Sequence, residues 1–561
     1  MLAHRARGLY HWLDRRRRDP RATEGERRRS VSYAVPSGVP LPSNDLKTDY
    51  AAGALSDFFQ VAPGDTSSAL DLRRDTDREA LAAAIRPHAE RLGAPPPALR
   101  NLDRLAQAGS MAVVTGQQAG LLLGPMYTLS KAMTAIALAR RLDAEERPVV
   151  PVFWVASQDH DVAEVDHAHL LDASEELHRV TVSMPDGVPV GRIPFSEEML
   201  RAVRGSLVAH DPRPARAEEV LSLLEESASL ARTFSDWFSA QLYRLLGRHG
   251  IVVVDPLEPA VASLSTRVLR REVMEPMTGP ERVNAAGKAL KAMGHDPQLG
   301  RGDGATNLFI ELPGEDGLPR RHLLRALRGG FVADGRKLDS AELLQRLEED
   351  PTVLTPAAGL RPVVQDALLP TAVSVLGPGE LAYVAQLRGV YELHDVPMPL
   401  AWPRSTVTVL EPAAARLLDS LGTTASDFVT DPDAVLERVL LERHRSSAEF
   451  ERATATLERG FEDLFSHVDG IDPTLRGTVQ RGRRYLEATL DRLRSKSGAA
   501  LARRDSETRR QFDRLEAHLM PLGQPAERVL SPYSHMLKFG VDALLDRLET
   551  VGETGAFELR L

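Results

Sequence analysis

This 561-residue sequence predicts an α/β fold: a parallel-sheet core, an inserted strand-rich module and a long helical hairpin. Three observations carry that prediction. First, residues 111–161 read as a strand, a glycine-rich turn, a helix and a second strand. M-A-V-V leads into Gly116, Gly120 and Gly124, a helical pattern covers residues 127–141, and the apolar run 149–155 ends in Ser157, Gln158, Asp159, His160 and Asp161. A helix-length connection makes the two strands parallel neighbours in a right-handed βαβ unit. Second, residues 372–376 repeat the device, an apolar strand running into Gly377, Pro378, Gly379 and Glu380. Third, the chain turns long, charged and helical over residues 433–520. There Leu475, Val479, Gly482, Leu486, Leu490 and Leu493 recur at helical spacing as one apolar stripe.

Taken in order, residues 1–30 are arginine-rich without periodicity and are expected to be a basic, disordered tail. Residues 31–280 form the first part of the core. They hold a docking lead-in at 44–59, one or two helices over 81–105, β-like pieces at 180–184 and 190–195, and helical patterns at 198–208 and 218–246. Residues 251–256 add another buried strand closed by Asp255 and Pro256, where a turn or cap is the plainer role for the aspartate. Residues 281–355 are short strands and turns, an antiparallel inserted module. Residues 356–432 are the second part of the core, with a helix expected to start near Leu381. Residues 433–520 should be two long helices of coiled-coil type joined at a break over 469–473. Residues 521–561 return to the core.

Composition narrows the function. With no cysteine, disulfides, thiolate metal sites and a cysteine nucleophile are excluded. A net charge of −9 speaks against general nucleic-acid binding, and no apolar run reaches the roughly 20 residues that span a bilayer. The N-terminus lacks the apolar stretch of a secretory signal, so export is not expected. Lysine is rare, seven residues against 63 arginines, which draws attention to Lys131 just after the glycine turn.

The glycines at 116, 120 and 124 match neither a Walker A loop nor the dinucleotide pattern. They permit close backbone approach, and a helix follows. The turn therefore reads either as an anion site, with Gln117 and Gln118 adding amide groups, or as a tight strand-to-helix connection. A branched side chain at Gly120 is expected to weaken ligand binding. Asp159, His160 and Asp161 set two carboxylates around an imidazole, a group able to move a proton. With His167 and His169 close behind, a metal site is conceivable, but none is expected as an integral ligand. Both strand ends would face one crevice, since ligands of open α/β sheets bind beyond the carboxyl ends of the strands.

The segments V-V-T-G-Q-Q-A-G-L-L-L-G-P-M-Y-T-L-S-K, P-V-F-W-V-A-S-Q-D-H-D, L-G-P-G-E-L-A-Y and W-P-R-S-T-V-T-V-L-E closely resemble the bacillithiol biosynthesis cysteine-adding enzyme family. The likeness runs from about residue 45 to the C-terminus. It implies a Rossmann-like core with inserted connecting modules, and a coiled-coil arm through which the protein forms a homodimer. The activity implied is the joining of cysteine by an amide to glucosaminyl-malate, the last step of bacillithiol synthesis, with ATP or another nucleotide activating a carboxylate. Asp159, His160, Asp161 and Glu380 are then the expected catalytic groups. Gly116, Gln117, Gln118, Gly120, Gly124, Tyr127, Lys131, Gly377, Gly379, Tyr383, Trp402 and Arg404 are the expected substrate- or nucleotide-binding residues. Gln158 departs from the acidic residue the resemblance suggests before D-H-D. Two other readings stand beside this one: a dimeric ligand-binding or scaffolding protein without catalysis, and a metal-dependent hydrolase using Asp159, His160 and His167.

Overall fold

A computed structural model describes residues 46–210 and 214–561, so the expected basic tail lies outside the described residues. The chain first docks a lead-in, Leu46–Ala51, where the Tyr50 hydroxyl donates to the Ala401 carbonyl at 2.5 Å. Two helices, Arg78–Arg91 and Pro96–Leu105, precede the first strand, as the spacing predicts.

Strand β1 spans Met111–Gln117 and β2 Val149–Val155, joined by the crossover helix Tyr127–Leu142. Every residue of β2 is buried, which is why this run carries no alternation. β1 is longer than its apolar letters suggest, because Gly116 belongs to the strand. A Cβ at that position would lie 2.6 Å from the Trp154 carbonyl oxygen of β2, so only glycine fits there.

The β-like pieces expected at 180–184 and 190–195 are displaced. The pairing is instead an antiparallel hairpin of β3, His167–Leu171, and β4, Leu177–Thr181. In β3 the histidines alternate with buried Ala168 and Leu170, the period-two pattern of a half-buried strand. Residues 190–192 form a single 3₁₀ turn. The helical stretch expected over 218–246 is split into Pro214–Ser229 and Phe234–Leu246, the second opened by a capping box of Thr233 and Asp236. β5, Val252–Val254, then completes one side of the core sheet.

The inserted module begins with a helix, Thr278–Ala292, where short strands were expected. Its antiparallel sheet comprises β6 (Ala305–Pro313), β7 (Pro319–Leu327), β8 (Gly330–Ala333), β9 (Arg336–Leu338) and β10 (Leu354–Pro356), in the order β10-β6-β7-β8-β9. β11 (Thr371–Leu376) and β12 (Leu400–Pro403) return to the core, whose five parallel strands run β12-β11-β1-β2-β5. From β1 the chain builds outward through β2 and β5, then restarts on the other side at β11. The order therefore reverses between β1 and β11, and that gap is the topological switch point.

β13 (Thr406–Leu410) pairs in parallel with the last strand, β14 (Ala556–Arg560). Between them lies the helical arm. It has four helices where two were expected: Pro432–Arg443, Ser447–Asp469, Arg476–Ala502 and Ser506–Leu519. The expected break at 469–473 is present. The extra interruptions fall at Arg445, whose φ of 55° is left-handed, and at Asp505, which caps the last helix through the Thr508 N–H. Gly498 lets two arm helices close, since a Cβ there would sit 2.9 Å from Glu437 Cγ. The helix Pro532–Phe539 is buried against the core hairpin, with Ser534 Oγ accepting from the Leu171 N–H at 2.8 Å. Among the described residues no helix is long and apolar enough to cross a membrane.

Candidate functional site

β1 ends at Gln117 and Gln118 follows it, and the side chains of these consecutive glutamines reach different partners. Gln117 and Gln118 therefore serve two different clusters. Gln117 donates to the Tyr127 hydroxyl at 3.2 Å and accepts from Lys131 Nζ at 2.9 Å. Gln118 donates to Asp159 Oδ2 at 2.7 Å and also bonds Glu164.

The first cluster occupies the switch point. Lys131, on the second turn of the crossover helix, has its ammonium 3.1 Å from the Gly116 carbonyl and 2.6 Å from Glu380 Oε2. An ammonium has three N–H groups, and these three acceptors occupy them all. Lys131 therefore clamps the end of β1 to the 377–380 turn, and the phosphate-binding role expected of it would require giving up a bond. Burial lowers its pKa, and the neighbouring Glu380 opposes that shift. Glu380 is also committed to the fold. It is the third residue of the helix Pro378–Val384 and accepts from the Gly377 N–H at 2.7 Å, which starts that helix three residues before the expected Leu381. Its side chain remains 26% exposed, so a ligand can reach it.

Around this pair, Tyr127 is buried enough to push its phenol up to about 12. The Arg404 guanidinium lies 5.6 Å from the Tyr127 ring centroid and is held by Glu527 at 2.7 Å in a buried pair. Tyr383 accepts from Arg361 at 3.1 Å. Arg361, not singled out from the sequence, lines a cavity between β1 and β11 together with Gly116, Ser374 and Glu380. Its other described bond goes to Gln365 at 3.0 Å, so most of its five donors stay available.

The second cluster lies at the end of β2, where the inserted module touches the core. Asp159 Oδ1 accepts from the His160 N–H at 2.8 Å. Burial pushes the Asp159 carboxyl up, but Arg321, Gln118 and the His160 N–H together hold it below the usual range. Arg321 arrives from β7 and stacks 4.0 Å from the Phe309 ring centroid of β6, and the same ring meets His160 edge-on at 5.5 Å. Burial brings Arg321 down to about 10, with Asp159 and Glu311 opposing. The available signal for these residues was alternation in β6, which puts Phe309 and Glu311 on one face. Nothing in the sequence said that this face meets the D-H-D turn.

Several expected site residues do other work. Gly120 approaches Gly124, since a Cβ on it would lie 3.0 Å from Gly124 Cα. Gly124 takes a φ of 63° after two buried leucines that are also left-handed, Leu122 at 49° and Leu123 at 62°. The turn is pinned from the C-terminal segment, where the Met126 N–H donates to Leu530 and Ser531 Oγ donates to the Leu122 carbonyl. The amides of Gly120, Leu121, Gly124 and Met126 are all spent on backbone carbonyls, so these amides form no anion cradle. Gly120→Val should therefore lower stability by about 1–3 kcal/mol through overpacking, rather than weaken binding by blocking a ligand. Thermal unfolding beside ligand titration checks this: intact stability with weakened binding would restore the ligand-contact reading.

Asp161 is exposed, and a Cβ on Gly379 would meet nothing within 4 Å. Trp402 turns from the crevice to donate to the Glu553 carbonyl at 2.6 Å. Asp255 is structural, accepting from the Leu257 N–H at 2.8 Å and from Ser157 and Ser235. His167 bonds Asp166 at 2.9 Å. Among the described residues, the side chains whose ligand atoms converge as a metal site would require are His88, Asp236 and Glu258, and Asp172, Glu176 and His178. Neither group includes Asp159, His160 or His167, so the hydrolase constellation is not assembled.

Comparison with known proteins agrees with this architecture. The family model described as bacillithiol biosynthesis BshC, N-terminal Rossmann-like domain, matches residues 42–405, and that of the BshC C-terminal coiled-coil domain matches residues 407–553. A protein of Thermus thermophilus named "Putative cysteine ligase BshC" is 39% identical over 465 residues, covering 82% of this chain and 90% of the relative. Its namesake in Salinibacter ruber is 32% identical over 530 residues, covering 90% and 93%. That of Geobacillus kaustophilus is 31% identical over 528 residues, covering 90% and 95%.

Proposed function

The chain belongs to the BshC family of bacillithiol biosynthesis, and from this premise we propose that it is a cysteine ligase joining cysteine through an amide to the amine of glucosaminyl-malate. The observation that carries the reading is the crevice at the switch point, where Arg361, Glu380 and Gly116 line one cavity. A carboxylate and an amine do not condense in water without activation. A nucleotide such as ATP, when bound, would supply the phosphoryl or adenylyl group that makes the cysteine carboxyl reactive. Within this reading Arg361 receives a carboxylate or phosphate through its uncommitted donors. Glu380 takes the cysteine ammonium or a sugar hydroxyl, positioned by Lys131. Asp159 and His160 stand at the end of the neighbouring strand, β2. The test is mass spectrometry of the purified protein with glucosaminyl-malate, cysteine and candidate nucleotides. Amide product that depends on one nucleotide is expected; none with any nucleotide favours the ligand-binding alternative.

The same reading makes the protein a cytoplasmic homodimer assembled through the arm. Leu486 and Leu493 are 41% and 55% exposed on the helix Arg476–Ala502, an apolar stripe that burial on a second copy would remove from water. Glutamate at both positions should shift the sedimenting species to monomer without loss of helix content. An unchanged mass would place the contact elsewhere.

A further inference from the structure

Arginine carries donors only, whereas each nitrogen of a neutral imidazole is either donor or acceptor. Arg321 places Nη1 3.3 Å from Nδ1 of His160 with hydrogen-bonding geometry. The guanidinium is not free to turn away. Nε donates to Thr355 Oγ1 at 2.8 Å, Nη2 donates to the Pro356 carbonyl at 2.7 Å, and the plane stacks on Phe309. The Arg321 side chain is only 7% exposed, so water does not screen it from the ring. The nitrogen facing it must therefore offer its lone pair, which leaves the proton of the neutral ring on Nε2.

We infer that Arg321 fixes His160 as the neutral imidazole protonated on Nε2, so that His160 donates a hydrogen bond to the reacting acyl oxygen and does not take the proton of the attacking amine. The catalytic half of this inference rests on the ligase reading; the protonation state does not. The charged groups that act on the ring are Asp159 and Asp161 on its own loop, Asp186 from the segment after the hairpin, and Arg321 from the inserted module. Burial and Arg321 depress the imidazole pKa, while the three aspartates oppose them, and the depression prevails. Asp159 Oδ1 lies 3.7 Å from Nδ1 and is occupied by the His160 main-chain N–H, so it does not take over the partnership.

In the ligation step the amine nitrogen forms the C–N bond to the activated cysteine carboxyl. The electron pair of the breaking C–O bond leaves with the phosphate-bearing group, and the amine proton passes to that group or to solvent. Negative charge grows on the acyl oxygen in between, and a preorganised N–H aimed at it stabilises that charge. Arg321 is a positioning residue in this account, acting through His160.

Two measurements test the inference on the full-length protein. With histidine-selective nitrogen-15 labelling, the His160 signals are identified by their loss in His160→Gln. They should show an unprotonated Nδ1 and a protonated Nε2 at neutral pH, and in Arg321→Gln the ring should titrate closer to the usual value of about 6.5. In the ligation assay His160→Ala should fall about 100-fold or more, the scale of a lost oxyanion donor. His160→Gln, whose side-chain amide offers an N–H in place of Nε2–H, should stay within about tenfold of wild type on that scale. A proton on Nδ1, a doubly protonated ring at neutral pH, or equal inactivity of His160→Gln and His160→Ala would overturn the inference. Absence of amide formation by the wild type would overturn the ligase reading and the catalytic role with it, while the protonation state is still decided by the nitrogen signals.

Discussion

Glu380→Ala is expected to abolish amide formation and to cost about 3 kcal/mol of stability, more than the loss from removing its partner Lys131. The two members of the pair are not equally buried: the Lys131 side chain is 4% exposed and that of Glu380 26%. Deleting the carboxylate strands a buried ammonium, and breaking a buried pair this way costs about 3–5 kcal/mol. The lower end applies because the Gly116 carbonyl and Gln117 Oε1 still accept from Lys131. Lys131→Met leaves behind a carboxylate that reaches water and still caps the Gly377 N–H. Its loss should be about 1–2 kcal/mol, nearer that of a hydrogen bond to a charged group. The double variant Lys131→Met with Glu380→Gln should recover most of the stability and none of the activity. Urea unfolding and the ligation assay read both. Equal losses from the two single variants would mean that water reaches the ammonium as easily as the carboxylate.

The second large effect is expected where the arm joins the core. Glu411 follows β13 just before the helix Pro412–Leu421, and its buried carboxylate meets His535 at 2.9 Å, Lys538 at 2.5 Å and His518 at 3.5 Å. His518 belongs to the last arm helix, while His535 and Lys538 belong to the helix buried in the core. His518 also reaches Glu175 of the core hairpin at 3.2 Å. One carboxylate thus ties three elements together, and Glu411→Ala should cost about 3–5 kcal/mol. Burial pushes the Glu411 carboxyl up, but its bond to His535 and the charges around it bring it down to about 2. A carboxyl with a lowered folded pKa stabilises above its unfolded pKa, and that contribution is lost as pH falls through the folded value. The shift from 4.5 to about 2 corresponds to about 3 kcal/mol at neutral pH. Between pH 7 and about pH 4 only the first part is lost, under about 1 kcal/mol. The stability gap between wild type and Glu411→Gln should narrow by that amount, as measured by urea unfolding at the two pH values. A gap indifferent to pH would show that the carboxylate is not held ionised in the fold.

How far the sequence could be read depended on the range of the information. The run at 149–155 matches β2 residue for residue, and the crossover helix differs by one position, because a continuous apolar stretch and a 3.6-residue period are local signals. The β-like pieces expected at 180–184 and 190–195 miss most of the hairpin of β3 and β4, although the alternation of His167 and His169 with Ala168 and Leu170 is the signature of a half-buried strand. The glycine turn is located correctly, but its role is not legible. Whether a glycine accommodates a ligand, a neighbouring strand or another glycine depends on which atoms stand beside it, and for Gly116 and Gly120 these are Trp154 and Gly124.

The sequence by itself determined the α/β class, the two strand ends that carry polar turns, the family, and the placement of Asp159, His160 and Glu380 beyond the sheet. Only the tertiary structure decided what those groups can do. Lys131 has its three donors taken by Gly116, Gln117 and Glu380. His160 meets an arginine from the inserted module, and Arg361, unremarkable in the chain, faces the switch-point cavity. The reason is physical. Periodicity and turn chemistry act between residues a few positions apart, whereas donor counts, burial and protonation are set by partners that meet only when the module, the core and the C-terminal segment pack together.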